Sequence, residues 1–510
     1  MLALHSRSDM KVLRPERCVV LDGKRCVACT KDIELEQEIT ELEQGITELE
    51  IEITELETKM EKIHIRRRAL RTVMNENHDL IHQFPPEIAS HIFMQYSSPS
   101  ECTDSPYETS PLYLGAVCQK WRQLAWATPD LWTSLHIKSY NRDRAQLVFE
   151  WLDRSGSLPL AIRLSDYGDD DEEHHDEVIN ILNKHSARWH DMQLALLPDH
   201  LRCLSGSSQE NILRRLVLCL PYPRDPSYFS TFSMKSKPSP TDLTLLRVGL
   251  PYVGIVWNNL IVASIGEIGV DECFELIRRA PLLETLRLHA INPSSSVFPI
   301  PSTRIVRPHL HSLELSEISK ETVVTGILDS LHLPSLKQWT HDHSPIPLDN
   351  MMTFIRIGYL SSSLNIFKIG IDQLDYRQVP GLLFHLPSLQ FLELRSATRP
   401  PSTTELISLL CASAQSPLYL PHLQSLEISY LFDFPWKSLP QIFALPRWKS
   451  LRVRIKPVFG FATDDESIQI LVELGNKGFD CRVASKDCKD WVHECCVLMM
   501  RRRAQNTCSL

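Results

Sequence analysis

The chain has 510 residues, 43% of them hydrophobic and 23% charged, a globular composition long enough for two to four domains or one repeat array and unlike a wholly disordered chain. Its 54 Lys and Arg face 63 Asp and Glu; eleven Glu crowd residues 33–63 beside only Lys59 and Lys62, which leaves 52 acidic and 52 basic residues elsewhere. That balance argues against generic nucleic-acid binding, which needs a basic face, and 17 Gly against 33 Pro leave few places for backbone to wrap a phosphate.

Residues 1–30 carry charges throughout and no apolar core, so they read as a disordered N-terminus and not as a secretory signal. The 14 Cys are scattered from Cys18 to Cys508, several of them inside apolar patterns, as reduced thiols would be in a cytosolic or nuclear protein. Cys26-Val-Ala-Cys29 is a lone CxxC with Cys18 nearby, short of the four ligands that a structural zinc needs.

From Leu35 the chain reads Leu35, Ile39, Leu42, Ile46, Leu49, Ile53, Leu56, Met60 and Ile63, spaced alternately four and three. Ile at a and Leu at d is the choice that favours a two-stranded parallel coiled coil, and residues 31–72 would make a helix about 60 Å long. Gly45, at a g position, weakens it by about 1 kcal/mol without breaking it. Glu36, Glu43, Glu50 and Glu57 fill e, and Glu38 and Glu52 fill g. A parallel self-pair sets Glu38 against Glu43 and Glu52 against Glu57, and an antiparallel one also faces Glu with Glu, so acidic flanks disfavour a homodimer. Three readings remain open: pairing of residues 33–63 with a basic helix, folding back onto the chain, or a solvated single helix.

Next come FPPEIASHIFMQY at 84–96 and, beyond a polar insertion, SPLYLGAVCQKWRQLAWATPDLWTSLHI at 110–137. Pro85 and Pro86 suit a first helical turn, with Glu87 placed favourably for the helix dipole and Ile88, Ile92 and Phe93 on one face. A second helix is expected from Leu114 through Val117, Cys118, Trp121, Leu124 and Ala125, ended by Thr128–Pro129. Some fifty residues bury too little surface to be comfortable alone, so the module should lean on a neighbour.

The pattern of 84–135, PPEI and IF followed by VCQKWRQLAWATPDLW, resembles the F-box of the type abundant in mushroom-forming fungi, which tends to follow an acidic heptad helix and precede degenerate leucine-rich repeats. The resemblance implies docking onto the linker subunit of a cullin-based (SCF) ubiquitin ligase. Carried over by position, Phe84, Pro85, Pro86, Glu87, Ile88, Ile92, Leu114, Val117, Cys118 and Trp121 would build or touch that interface. Phe84 stands where the family usually has Leu, and the link Ser97–Ser110 is long; neither removes the apolar face. The same stripes could instead cap the repeats that follow.

From residue 136 to about 485 a phrase of apolar-x-x-apolar-x-apolar recurs, clearest at Leu213/Leu216/Leu218, Leu283/Leu286/Leu288, Leu310/Leu313/Leu315, Leu389/Leu392/Leu394 and Leu423/Leu426/Ile428. Weaker copies begin at Trp132, Trp189, Leu243, Leu260, Leu336, Leu364 and Trp448. The steps between 283 and 448 run 25–28 residues save one of 34, the signature of leucine-rich repeats, while the step of 17 from 243 to 260 suggests that one copy there is not a full repeat. Val270–Ala280 reads as the helix of one unit, with Phe274 and Ile277 aimed at the sheet and Pro281 stopping it. Most copies lack the asparagine that ladders such repeats, which predicts an irregular horseshoe. The uncharged stretch Val248–Gly266, interrupted by Pro251, Asn258 and Asn259, reads as buried strands and not a membrane span. Residues 486–510 read as a tail.

The acidic run Asp169–Glu177, with His174 and His175, has no ordered ligand spacing and reads as a solvated loop entering a helix at Val178–Lys184. His341 and His343 read as polar loop. No GxxxxGK, HExxH or GxSxG occurs. The expectation is therefore an α/β chain with a long N-terminal helix, a small helical F-box and an irregular leucine-rich-repeat solenoid. It is expected to recruit a target protein to a ligase, or alternatively to serve as a repeat scaffold without one, and to have no cofactor, no metal and no catalytic residue.

Overall fold

The computed structural model describes residues 27–97, 110–137, 142–165, 175–220, 231–371, 374–396, 402–430, 434–457 and 465–483, and the chain divides into two compact units, Met1–Ala127 and Thr128–Leu510. Of the sequence expectations, the segment before Val27, most of the 97–110 link, the core of the acidic run and the 486–510 tail lie outside the described residues.

In the first unit α1 runs unbroken over the 52 residues Val27–His78, about 78 Å at the usual rise and longer at both ends than the expected 31–72. Leu70 and Met74 continue the seam, and no Gly or Pro follows Gly45 until Pro85, so nothing stops the helix earlier. The Thr40, Thr47, Thr54, Thr58 and Thr72 hydroxyls donate to carbonyls four residues back, satisfying themselves on the helix. At its end the Asp79 carboxylate accepts from the Ile81 amide and opens a short 3-10 turn, Leu80–His82. Three short helices follow: α2 (Pro86–Ser97), α3 (Pro111–Val117) and α4 (Gln119–Trp126). The sequence led us to expect one helix where α3 and α4 stand. Cys118 is extended, and its thiol accepts from the Trp121 amide, so one residue ends α3 and caps α4. The Arg122 guanidinium donates to the Gly115 carbonyl across the corner and fixes it.

The second unit is built on a sheet of fourteen parallel strands in strictly sequential order, from Ser134–Ile137 to Cys481–Val483. The sheet is like that of a leucine-rich-repeat solenoid, and the compact unit takes in Thr128 onward: Leu131 and Trp132 are buried, and the Trp132 ring meets Trp151 edge-on at 4.9 Å. Each strand turns its apolar pair to the same side. Leu286 and Leu288, for instance, lie beside Leu313 and Leu315, then Trp339 and His341, then Phe367 and Ile369. Returning helices such as Val270–Arg279 bury Cys273, Phe274, Leu276 and Ile277.

Register corrects the repeat count. A strand missed in the sequence, Leu160–Ser165, pairs with Ser134–Ile137 and Trp189–Ala195; Pro159 stands where its phrase should begin. Leu243 and Leu245, not Leu246 and Val248, are the inward pair of their strand, and Leu243 lies opposite Ala263, a step of 20 that restores a full repeat. Likewise Val453 and Ile455 pair with Leu426 and Ile428, moving the weak copy begun at Trp448 two residues on. Val248–Gly266 contributes two strands with buried side chains, Val262–Gly266 in the long sheet and the short Val253–Gly254, which pairs with Phe232–Ser233.

The missing asparagine ladder is replaced by backbone. Arg247, Glu267, Ala290 and Glu317 each follow a strand with φ between 49° and 61° and donate their amides to the last carbonyl of the next strand at 2.9–3.1 Å. Three arginines stitch repeat to repeat by capping the carbonyl end of the preceding helix. Arg188 reaches Leu152 and Gly156, Arg307 reaches Ile277 and Arg278, and Arg447 reaches Ala414, Ser416 and Pro417. Removing Arg307 leaves buried carbonyls unpaired, so Arg307→Ala should cost about 2 kcal/mol in urea unfolding, with Arg307→Lys recovering only part; an unchanged midpoint would show the staple to be idle.

His341, expected in a loop, is an inward residue of the strand Gln338–Asp342, standing between Leu315 and Ile369. Its Nε2 meets the Ser344 carbonyl at 2.8 Å, and burial pushes its pKa down to about 4, with Ser344 and Asp342 pulling back only in part. The unfolded chain takes the proton first as pH falls, so the loss starts near 6.5 and completes near 4, amounting to on the order of 3 kcal/mol. His341→Leu should therefore flatten the fall in urea midpoint between pH 7 and pH 5; equal falls in both proteins would contradict this.

Candidate functional site

The ten residues selected by resemblance fall into two groups in the first unit. Leu114 is buried, and with Ala89, Phe93 and Ala125 it makes the small core of α2–α4. Trp121 is half-buried: its ring lies 4.9 Å from Phe93, and its indole N–H donates to the Asp79 carboxylate. Cys118 is half-buried as the cap between α3 and α4. These three hold the module together.

The others face outward. Ile88 is 51% exposed, Ile92 39%, Val117 52% and Phe84 42%, and Pro85, Pro86 and Glu87 are exposed beside them. The stripe read from sequence as Ile88, Ile92 and Phe93 is thus divided: Phe93 turns inward with Ala89, while Ile88 and Ile92, with Tyr96 one turn further on, stand in solvent. The helical period explains this, since 89 and 93 are rotated about 100° from 88 and 92. The spacing alone marked an apolar face without saying which side of it packs.

The described residues also include a charged row on the side of the sheet away from the apolar pairs, which the sequence did not reveal and in which Thr340, Glu393 and Glu427 are buried. Register puts Arg287, Glu314, Thr340, Lys368, Glu393 and Glu427 side by side, one per strand. Arg395 joins Glu393 at 2.7 Å and Asp342 at 2.6 Å; Lys368 lies 3.5 Å from Glu393, and Lys456 2.5 Å from Glu427. Burial works to raise the Glu393 pKa, yet the Arg395 hydrogen bond and the charges of Arg395, Lys368 and Lys456 outweigh it and hold the carboxyl below its ordinary range. Arg395 and Glu393 are two residues apart on one strand, but the links to Asp342, to Lys368 and from Lys456 to Glu427 each join different repeats, which the sequence order does not show.

Among the described residues no group of three or more His, Cys, Asp or Glu is placed to hold a metal ion, and no helix is long and apolar enough to cross a membrane. Cys18 and Cys26 lie outside them, as does Asp169–His174. The described cysteines Cys118, Cys203, Cys219, Cys273, Cys411 and Cys481 are free thiols; Cys273, fully buried, has its pKa pushed far above the ordinary thiol range by burial and by Glu272 and Asp271.

No protein-family model matches the chain, and no curated protein matches it. Among solved structures, it is similar to the crystal structure of a TLR13–ssRNA13 complex at 14% identity and a TM-score of 0.30, over 60% of this chain and 41% of that one.

The division between core and surface is measurable. Phe93→Ala should cost about 3 kcal/mol and open residues 80–127 to protease, whereas Ile88→Ala should stay within about 0.5 kcal/mol of the parent. Equal protease resistance in the two variants would put Phe93 outside the core.

Proposed function

We propose that the chain recruits a target protein to a cullin-based ubiquitin ligase: α2–α4 dock on the linker subunit, and the repeat unit holds the target. One observation carries the reading. The module already has a core in Ala89, Phe93, Leu114 and Ala125, so Phe84, Ile88, Ile92 and Val117 are apolar side chains that its own fold does not use. A polar substitution there would be expected if solvent were their only neighbour. They are among the positions that the resemblance to the F-box pattern assigns to the linker interface, with Phe84 standing where that family usually has Leu.

In this role the chain performs no chemistry. It raises the concentration of a target near the transfer machinery supplied by other subunits, and the repeat unit suits that task because its open face can vary without disturbing the stacked interior. The alternative is the same repeat scaffold with no ligase attached, and one binding measurement separates the two. Ile88→Asp with Val117→Asp should abolish capture of the purified linker subunit by the full chain while leaving its circular dichroism unchanged. Leu418→Asp, an exposed residue of the repeat unit, should leave capture intact. Failure of the parent chain to bind the linker subunit, or binding that survives both Asp substitutions, would leave only the scaffold.

A further inference from the structure

The apolar seam of α1 is exposed among the described residues. Every seam residue from Leu35 through Ile39, Leu42, Ile46, Leu49, Ile53, Leu56, Met60, Ile63, Leu70 and Met74 is more than half exposed. Eleven large aliphatic side chains in one row on a 52-residue helix are far more than scattered surface residues amount to. What could cover them is written in the charge order of the helix itself. Residues 32–57 carry Asp32 and ten Glu with no Lys or Arg, while residues 59–71 carry Lys59, Lys62, Arg66, Arg67, Arg68 and Arg71 against Glu61 alone.

We propose that α1 pairs with α1 of a second copy of this chain as an antiparallel two-stranded coiled coil, its two-fold axis between Thr54 and Glu55. In that register every a position meets a d position of the other copy: Ile39 with Leu70, Ile46 with Ile63, Ile53 with Leu56, Met60 with Leu49, and Met74 with Leu35. Between the outermost Leu35–Met74 layers Arg67 opposite Leu42 is the one polar intrusion, flanked by Glu38 and Glu43, and beyond them Asp32 meets Asn77 at the ends of the overlap. The overlap runs from Lys31 to His78, nearly the whole helix.

The flanks decide the orientation. Antiparallel pairing brings e to e and g to g, placing Glu36 against Arg71, Glu52 against Lys59 and Glu43 against His64, each twice; Glu50 against Glu57 is the one like pair. Parallel pairing sets Glu38 against Glu43, Glu52 against Glu57 and Arg66 against Arg71, so its flanks repel at both ends. The expectation that an antiparallel pair also faces Glu with Glu therefore holds at one layer only. The basic helix that the acidic segment calls for is the other half of the same helix.

Such a dimer would carry its two α2–α4 modules at opposite ends of a rod about 70 Å long, where a parallel coil would set them side by side. It stands independently of any ligase, because α1 and the docking face of α2 use different residues.

The test is light-scattering mass of the full chain across a micromolar dilution series at 0.15 M salt. The parent should run at twice the monomer mass, and Ile46→Glu with Ile53→Glu should run as monomer with its helicity in the α2–α4 and repeat regions kept. Glu36→Arg alone should weaken the dimer about tenfold, through two flank pairs turned repulsive, and Arg71→Glu added to it should restore most of that loss. In a parallel coil Glu36 and Arg71 never meet, so the second change could not rescue the first. A monomeric parent at tens of micromolar, a dimer that survives the Ile46 and Ile53 changes, or a swap without rescue would each overturn the proposal.

Discussion

The second unit depends on one constraint: a strand that turns two apolar side chains to one side cannot cover them by itself. Leu286 and Leu288 are buried because Leu313 and Leu315 stand beside them in register on one edge and Ala263 and Ile265 on the other. Repeated fourteen times, that mutual cover makes one continuous interior from short phrases that separately would be hydrated loops. Sequence irregularity is tolerated as long as the inward pair stays in register. A buried histidine can take a leucine's place, and a step of 20 can sit beside one of 34, because the connecting segments on the other side absorb the difference.

Two devices replace what the phrases omit. The ladder usually made by asparagine side chains is made here by main-chain amides of residues in a left-handed conformation, a strain of about 1 kcal/mol each that neighbouring repeats over-determine. Carbonyls at three helix ends are closed by arginines from a later repeat, Arg188, Arg307 and Arg447. Both devices act between repeats, so both add to the coupling that lets the array behave as one body.

The first unit follows the opposite logic. Its core is small, and it leaves apolar side chains outside on purpose-sized faces: one at Ile88, Ile92 and Val117, and another along all of α1. Among the described residues most of the exposed large hydrophobic side chains lie in this unit, and fewer, such as Phe149, Tyr359 and Leu418, lie on the repeats. Both proposals draw on that contrast, one for the short helices and one for the long helix.

The sequence by itself determined the period-driven features. The seven-residue spacing from Leu35 to Ile63 made α1 a helix, the recurring six-residue phrase made a repeat array, and the apolar stripes of 84–125 made a helical module, because each is a local pattern that any backbone of that type must express. Only the tertiary structure decided partnership and register. It alone showed that Phe93 packs and Ile88 does not, that Cys118 breaks one helix into two, that Leu160–Ser165 is a strand, that Leu243 and Leu245 are the inward pair of theirs, and that Lys368 of the neighbouring strand reaches Glu393. Those facts turn on which residues from different repeats or helices come within a few ångströms of each other. Sequence spacing carries no record of that, because the energy that selects one face, one frame or one ion pair comes from neighbours dozens of residues away.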